Sequence, residues 1–298
     1  MTMRVSTLVL TLNEEANLPA CLDALSWCDD VVVVDSGSTD RTVEIAKAHG
    51  ARVLIRAFDN FAGQRNWGVA NSDFKHEWVL HLDADEVVTP EFRAALEACE
   101  APAGIDAYQV PSKTMFFGRW LKYAGMWPSY QVRLGKRDTL RFVQIGHGQR
   151  EDLPDEKVGV FPEAYLHFSF SHGLAQWLRR HLRYAEEEVE QLAKSRQGSG
   201  IQEGRGGGVT QARRRLKAIA ARLPLTLRPF LKFLYVYVAR LGFLDGRRGF
   251  AYAFMLSVYE GMIAVIAFGE LGKVAPPQTN VAQTPAQAGI SKELVKDD

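Results

Sequence analysis

Two carboxylates separated by one residue, Asp83 and Asp85, follow directly on an apolar run, Trp78-Val79-Leu80-His81-Leu82. At the end of a strand, Asp-X-Asp can set both acids beside one divalent cation while the intervening side chain points to the other face. Mg²⁺ or Mn²⁺ held by one or two carboxylates, with phosphate oxygens filling the rest of the shell, is the usual arrangement for handling a nucleotide diphosphate. Taken alone, Asp-X-Asp is more often a solvated turn. Its meaning depends on the elements that precede it.

Three upstream segments share a strand–turn–helix rhythm. Val5–Leu12 is a β-rich apolar run that stops at Asn13-Glu14-Glu15, after which Leu18, Cys21, Leu22 and Leu25 recur at helical spacing. Val31–Val34 is four consecutive valines, the pattern of a strand buried on both faces. It ends in Asp35-Ser36-Gly37-Ser38-Thr39-Asp40, which is turn chemistry and a helix N-cap, and the helix after it closes at Gly50. Ala51–Ile55 reads as the third strand, Phe61–Asn71 as a helix, and the run into Asp83 as the fourth strand. Alternating strands and helices imply parallel pairing through right-handed crossovers, with ligands beyond the carboxyl ends of the strands. Asn13, Glu14, Asp35, Asp83 and Asp85 all lie at those ends, so one cleft is expected to collect them. Acids gathered in one cleft call for a cation or donor groups.

Leu-Thr-Leu-Asn-Glu-Glu (10–15), Val-Val-Asp-Ser-Gly-Ser-Thr-Asp (33–40), Gln-Arg-Asn (64–66) and Leu-Asp-Ala-Asp-Glu (82–86) together resemble the family 2 glycosyltransferases of GT-A fold. Within that family the chain is similar to the lipopolysaccharide-core β-glucosyltransferase branch, through Arg133-Leu134, His167, the Trp177–Tyr184 stretch and Gly242-Phe243-Leu244-Asp245-Gly246. The resemblance implies an α/β fold with a mixed sheet whose parallel half binds a nucleotide sugar, a UDP-sugar. By it, Thr11, Asn13, Glu14 and Asp35 hold the base and ribose, and Arg65 lies near the nucleotide or its phosphates. Asp83 lies near ribose and metal, and Asp85 is the direct ligand of Mg²⁺ or Mn²⁺. Asp40 reads as a capped turn, and Arg65, if its helix is exposed, equally as a surface charge.

Inverting members use a carboxylate to deprotonate the acceptor hydroxyl, on the face opposite the diphosphate. Related chains place a Glu directly after a His in the region that here reads Ile145-Gly146-His147-Gly148-Gln149-Arg150-Glu151-Asp152, and Gly148 stands where that Glu would. Glu151 is the leading replacement and Asp152 the second, with His147 a base or metal contact. A charged surface loop is the competing reading.

With Lys+Arg 36 against Asp+Glu 35, the net charge of +1 gives no global basic field, and nucleic acid is not an expected partner. Cys21, Cys28 and Cys99 lack metal-like spacing and suit a reduced compartment. The amino terminus reads as a strand and not as a signal peptide. The basic residues from Arg205 to Arg248 face only Asp245, interleaved with Leu225, Phe230, Leu231, Leu234, Tyr237, Leu241 and Phe243. Such a stretch suits an anionic membrane interface. Phe250–Phe268 is long enough to cross a bilayer, but Glu260 near its middle would cost about 2.5–3.5 kcal/mol, which favours an in-plane helix or one packed on the catalytic domain.

The expected organisation is a catalytic domain over 1–172, a helical membrane-associating region over 173–270 with a Gly-rich linker at 197–208, and a disordered tail over 271–298. Short strands at Ala107–Pro111, Lys113–Phe117, Gln131–Leu134 and Ala164–Phe168 would complete the sheet. Phe116, Phe117, Trp120, Tyr123 and Trp127, beside Lys113, Arg119 and Lys122, suit either an acceptor wall or core packing. His167 or His172 could complete the metal shell or be a structural histidine. The leading function is an inverting, metal-dependent glycosyltransferase acting on a membrane-anchored saccharide of lipopolysaccharide core assembly, peripheral on the cytoplasmic face of the membrane. Polyprenyl phosphate or a capsular glycan is the alternative acceptor. An inactive nucleotide-binding membrane scaffold is the alternative of another class.

Overall fold

The computed structural model describes residues 3–145, 148–196 and 224–271. The expectations for His147, the 197–208 linker, the basic residues from Arg205 to Arg222 and the tail beyond Leu271 lie outside the described residues.

Four strands, β1 (Val5–Thr11), β2 (Val31–Asp35), β3 (Arg52–Ile55) and β4 (Trp78–Asp83), alternate with α1 (Leu18–Ala24), α2 (Thr42–Ala48) and α3 (Phe61–Asn71). They pair in parallel in the order β3-β2-β1-β4. The valine run is buried on both faces, as its composition requires. Val33 joins a cluster with Leu18, Cys21 and Leu22, whereas Val32 and Val34 join Leu8, Leu10 and Val79 on the other side. Gly68 lets α3 close on the sheet, because a Cβ there would stand 3.0 Å from the Leu8 methyls.

Beyond β4 the sheet turns mixed. The short β5 (Glu86–Val87) and α4 (Pro90–Ala98) lead to β6 (Ala107–Phe116), β7 (Arg119–Trp120) and β8 (Ser129–Lys136). β8 runs antiparallel to both β4 and β6, so β6 points the same way as β4. A hairpin of β9 (Phe142–Ile145) and β10 (Gly148–Glu151) stands apart, and β11 (Val158–Val160) and β12 (Tyr165–His167) pair with β6 on its far edge. The two strands expected around Pro111 are one ten-residue strand. Pro111 falls where β11, which ends opposite Gln109, gives way to β12, which starts opposite Ser112, so its missing N–H breaks no ladder bond.

After the sheet come the long helix α5 (Gly173–Arg196), then α6 (Arg228–Leu234), a π-helical turn (Tyr235–Ala239), a 3-10 turn (Gly242–Asp245) and α7 (Gly246–Leu271). One face of α7 packs on α5 through Ala185, Val189, Ile263 and Ala267, and Met255 meets Trp177 of α5 together with Phe116 and Leu121 of the sheet domain. Among the described residues, Gly242–Glu270 is the one helical stretch long and apolar enough to cross a membrane.

Candidate active site

The carboxyl ends of β1, β2 and β4 lie in register: Thr11 stands opposite Asp35, and Leu10 opposite Asp83. The chain leaves β4 through the buried Ala84, passes Asp85 and enters β5, whose partner is β12 rather than β4. Asp85 therefore bridges the two halves of the sheet, its carbonyl accepting the Phe168 N–H at 2.8 Å.

Asp83 is locked from both sides. Arg65 Nη2 donates to Oδ1 at 2.6 Å and Arg133 Nη2 to Oδ2 at 2.7 Å. The same Arg133 nitrogen donates to Glu86, whose other oxygen accepts the Asp83 N–H at 3.0 Å. Burial alone would raise the Asp83 pKa, but Arg133 and Arg65 hold it well below the usual carboxylate range. In Glu86 burial outweighs the pull of Arg133 and the pKa rises. His81, enclosed and facing both guanidinium charges, is pushed well below its ordinary value and stays neutral. Arg65 Nε and Nη1 and Arg133 Nη1 are buried without a protein acceptor. A buried guanidinium with spare donors is costly unless something anionic answers it. Arg65 is thus not the exposed surface charge its helix permitted: it is 1% exposed, under the Phe142 ring.

Asp85 is different. Its carboxylate is partly open, and His167 Nε2 lies 3.5 Å from Oδ2. Burial would lower the imidazole's pKa, but the Asp85 charge and hydrogen bond raise it to about 9. Among the described residues no three His, Cys, Asp or Glu side chains converge on a metal position. A carboxylate oxygen and an imidazole nitrogen suit a divalent ion that takes its remaining ligands from a diphosphate and water. Asp83, 30% exposed against 19% for Asp85, accepts one arginine N–H on each oxygen and keeps further lone pairs, so both acids remain open to that ion.

The loops after β1 and β2 are stitched together. Asp35 is fully buried and accepts from Thr11 Oγ1 (2.8 Å), Gly37 N (2.9 Å), Ser38 N (2.8 Å) and Ser38 Oγ (2.5 Å). Thr11 and Asp35, which the resemblance places at base and ribose, hydrogen-bond to each other, and Asp35 also to the turn. Their effect is to shape the surface formed by Asn13 and Ser38–Asp40. Asn13 sits in the left-handed region at φ 56, tolerable for Asn, and its Oδ1 accepts the Thr39 N–H at 2.8 Å. Asp40 caps its turn as expected, accepting from Thr42 N at 3.0 Å and Thr42 Oγ1 at 2.5 Å. Glu14 Oε2 accepts from Asn17 Nδ2 at 2.6 Å and lies 3.0 Å from His172 Nε2. Burial raises the Glu14 pKa against those partners, and the Asp85 charge adds to it, which puts the two acids in one electrostatic neighbourhood.

Glu151 ends the β9–β10 ladder opposite Phe142, and that hairpin is tied to α3 by Asn66, which exchanges two hydrogen bonds with the Phe142 backbone at 2.8 and 2.9 Å. Glu151 is half-buried one strand from the Arg65 guanidinium, whereas Asp152 is exposed. Arg133 and Glu86 are site residues that the motifs did not assign. The only advance signal was their place inside matched stretches.

Residues 6–155, half of the chain, match the Glycosyl transferase family 2 model. The chain belongs to glycosyl transferase family 2. Among its relatives, an uncharacterised glycosyltransferase of Rickettsia typhi is 36% identical over 119 residues, 39% of this chain and 40% of that one. The lipopolysaccharide core biosynthesis glycosyltransferase LpsC of Rhizobium meliloti is 28% identical over 165 residues, 53% of this chain and 57% of that one. The chain thus aligns with less than two thirds of the length of these relatives. Glucosyl-3-phosphoglycerate synthase of Mycobacterium tuberculosis, crystallised with Mn²⁺, UDP and glucosyl-3-phosphoglycerate, is 21% identical at a TM-score of 0.40, covering 56% of this chain and 72% of that one. At that score the likeness carries no argument.

Proposed function

We propose that this family 2 glycosyltransferase transfers a sugar, with inversion, from a UDP-sugar to a membrane-anchored saccharide of the lipopolysaccharide core. The observation that carries the reading is the placement of Asp83-Ala84-Asp85: Asp83 is oriented by two arginines, Asp85 faces His167, and both carboxylates stay partly open at the same sheet edge. Asp85 and Asp83, with His167 beside them, would hold Mg²⁺ or Mn²⁺, whose chemistry is to neutralise charge on the departing diphosphate. Arg65 and Arg133, with unanswered donors behind Asp83, make the cleft floor electropositive toward the same group. Asn13, Ser38 and Thr39 present the rim for the nucleoside, and Glu14 with His172 closes the other side. Glu151, one strand from Arg65, is assigned to take the acceptor proton; Glu151→Gln then lowers kcat about 100-fold or more while donor KM holds.

Relatedness to LpsC supports a core-saccharide acceptor. The carboxy-terminal helices support a membrane-anchored one. On α7, Phe250, Phe254, Val265 and Phe268 fall within about 60° around the helix, and Phe254 and Phe268 are 56% and 76% exposed. Phe230, Leu234 and Leu241 form a second exposed row, on and just beyond α6. This surface suits attachment in the plane of an anionic leaflet, on the cytoplasmic side where nucleotide sugars are found.

Purified protein assayed against a panel of nucleotide sugars is expected to release UDP from one UDP-sugar and to lose that activity in excess EDTA. Full activity in EDTA would end the metal assignment. Cosedimentation with phosphatidylglycerol-containing vesicles is expected to weaken, without vanishing, at high salt. Indifference to such vesicles at low salt would end the membrane assignment.

A further inference from the structure

The segment that joins β6 to β8, residues 117–128, leaves the sheet at the same edge as the cleft. β6 runs parallel to β4, so its carboxyl end lies at the Asp83–Asp85 edge, and Thr114, three residues before the segment, pairs with His167. The segment carries Trp120 and Trp127, edge to face at 5.1 Å, with the Lys113 ammonium 5.3 Å from the Trp120 ring. Of the aromatics read as an acceptor wall or as core, Phe116 is core, Phe117 is 60% exposed, and the two tryptophans are half-buried at the rim.

The carboxy-terminal region grips this segment at its start, middle and end. Arg248 Nε donates to the Phe117 carbonyl at 3.3 Å, and Arg240 Nη2 to the Trp127 carbonyl at 2.7 Å. Between them the Asp245 carboxylate accepts three successive backbone N–H groups, Lys122 at 3.2 Å, Tyr123 at 2.9 Å and Ala124 at 2.7 Å. An ionised acceptor facing three consecutive amides fixes that turn more firmly than neutral bonds would. The 3-10 turn that presents Asp245 has little freedom of its own. Leu241 and Gly246 hold left-handed φ values of 59° and 64°, and a Cβ on Gly242 would stand 2.5 Å from the Val236 carbonyl and 3.2 Å from the Ala124 Cβ. A Cβ on Gly249 would run into Gly242 O, so the turn is also pressed onto the first turn of α7.

The outer side of the same turn is apolar and basic. Leu241, Phe243 and Leu244 are 45%, 45% and 54% exposed. Between residues 224 and 248 Arg228, Lys232, Arg240, Arg247 and Arg248 stand against a single acid; Arg240 and Arg248 reach inward to the segment, and Arg247 is exposed. That acid is Asp245, and its charge is turned inward onto the 122–124 amides. The occupant that suits this face is an anionic lipid surface.

We propose that Gly242-Phe243-Leu244-Asp245-Gly246 is a clasp that couples seating on an anionic membrane to the placement of the 117–128 segment at the cleft edge, with Asp245 as its positioning residue. The inference rests on the membrane-acceptor reading above and adds to it how lipid contact reaches the acceptor side of the site. Turn, helices and segment then move as one body, so an acceptor head emerging from the bilayer meets Trp120, Trp127 and Lys113 at a fixed distance from Asp85.

Hydrogen exchange of the full-length protein, with and without vesicles of 70% phosphatidylcholine and 30% phosphatidylglycerol, tests this by mass spectrometry of the 117–128 peptides. In the wild type, vesicles are expected to slow exchange there about tenfold, together with α6 and α7. In Asp245→Asn, vesicle affinity stays within about threefold, yet the segment exchanges faster and no longer responds to vesicles; Asp245→Glu, which keeps the charge, restores part of the response. A wild type that binds vesicles with no change at 117–128 overturns the coupling and leaves the proposed function standing, as does a full response in Asp245→Asn. A wild type that does not bind vesicles overturns both. Should Asp245→Asn lose protection in β1–β4 and so fail to fold, the wild-type measurement alone decides.

Discussion

The two edges of the parallel half each pair an aspartate with arginine, and they treat it in opposite ways: Asp30 is buried and Asp83 is 30% exposed. At the amino-terminal edge Asp30 accepts from Ser6 Oγ (2.5 Å), Arg52 Nη2 (2.8 Å) and the Lys75 N–H (2.8 Å), and Arg52 spends its other donors on the carbonyls of Ser72 and Asp73. At the carboxyl edge Asp83 accepts from both arginines yet stays 30% exposed, and Arg65 and Arg133 keep three buried donors with no acceptor among the described residues, next to Asp85, which is also partly open. Taking charges out of water costs several kcal/mol each, and a fold needing only a strand staple closes the account as Asp30 does. The unclosed edge is the one suited to an anionic ligand. The same ion-pair chemistry is structural at one end of the strands and, on the proposed function, binding at the other.

Arg133→Met gives the largest effect. It leaves Asp83 half-paired and Glu86 without the arginine it hydrogen-bonds, so unfolding free energy should fall by about 3–5 kcal/mol. Chemical denaturation measures it. A loss under 1 kcal/mol would mean that Glu86 is already protonated and the cluster less charged than its geometry implies.

Asp85→Asn comes next. It touches no buried partner besides His167, so its cost falls on chemistry: kcat for sugar transfer should drop about 100–1000-fold, with the midpoint of thermal unfolding within about 2–3 °C of the wild type. An unfolding loss comparable to that of Arg133→Met, with activity per folded molecule retained, would make Asp85 a strand staple and erase the contrast between the edges.

Much of this contrast was out of reach of the sequence, for reasons visible in particular residues. Apolar period and turn chemistry located β1–β4 and α3, because each is decided by neighbours within a few residues. They also brought Asp83 and Asp85 to one strand end. They did not separate the fates of the two acids. That separation depends on Arg133, fifty residues on from Asp83 and brought beside it only because β8 pairs with β4. The enclosure of Asp35 and Thr11 was hidden for the same reason, since β1–β2 register sets their hydrogen bond. Pro111 suggested a strand break, because sequence does not tell which neighbour its missing N–H would have faced. The two histidines left open separate cleanly: His167 faces Asp85, and His172 faces Glu14.

The smallest expected effect comes from the closed edge and carries a sign in pH. Burial works against ionisation of Asp30, but hydrogen bonds from Ser6, Lys75 and Arg52 outweigh it and lower its pKa in the folded state. A carboxylate with a depressed folded pKa stabilises the fold fully above its unfolded value, about 4, and that stabilisation fades as pH falls toward the folded value. Asp30→Asn should therefore cost about 1.5–3 kcal/mol near neutrality. The gap between variant and wild type should stay flat from pH 8 to about 5 and close below about 4. Activity per folded molecule should not change, because Asp30 ties together the starts of β1, β3 and β4 and lies a full strand length from Asp85. Urea titrations across that pH range, paired with kcat at pH 7, give both readings. A tenfold fall in kcat, or a gap that widens on acidification, would show that the two edges are not independent.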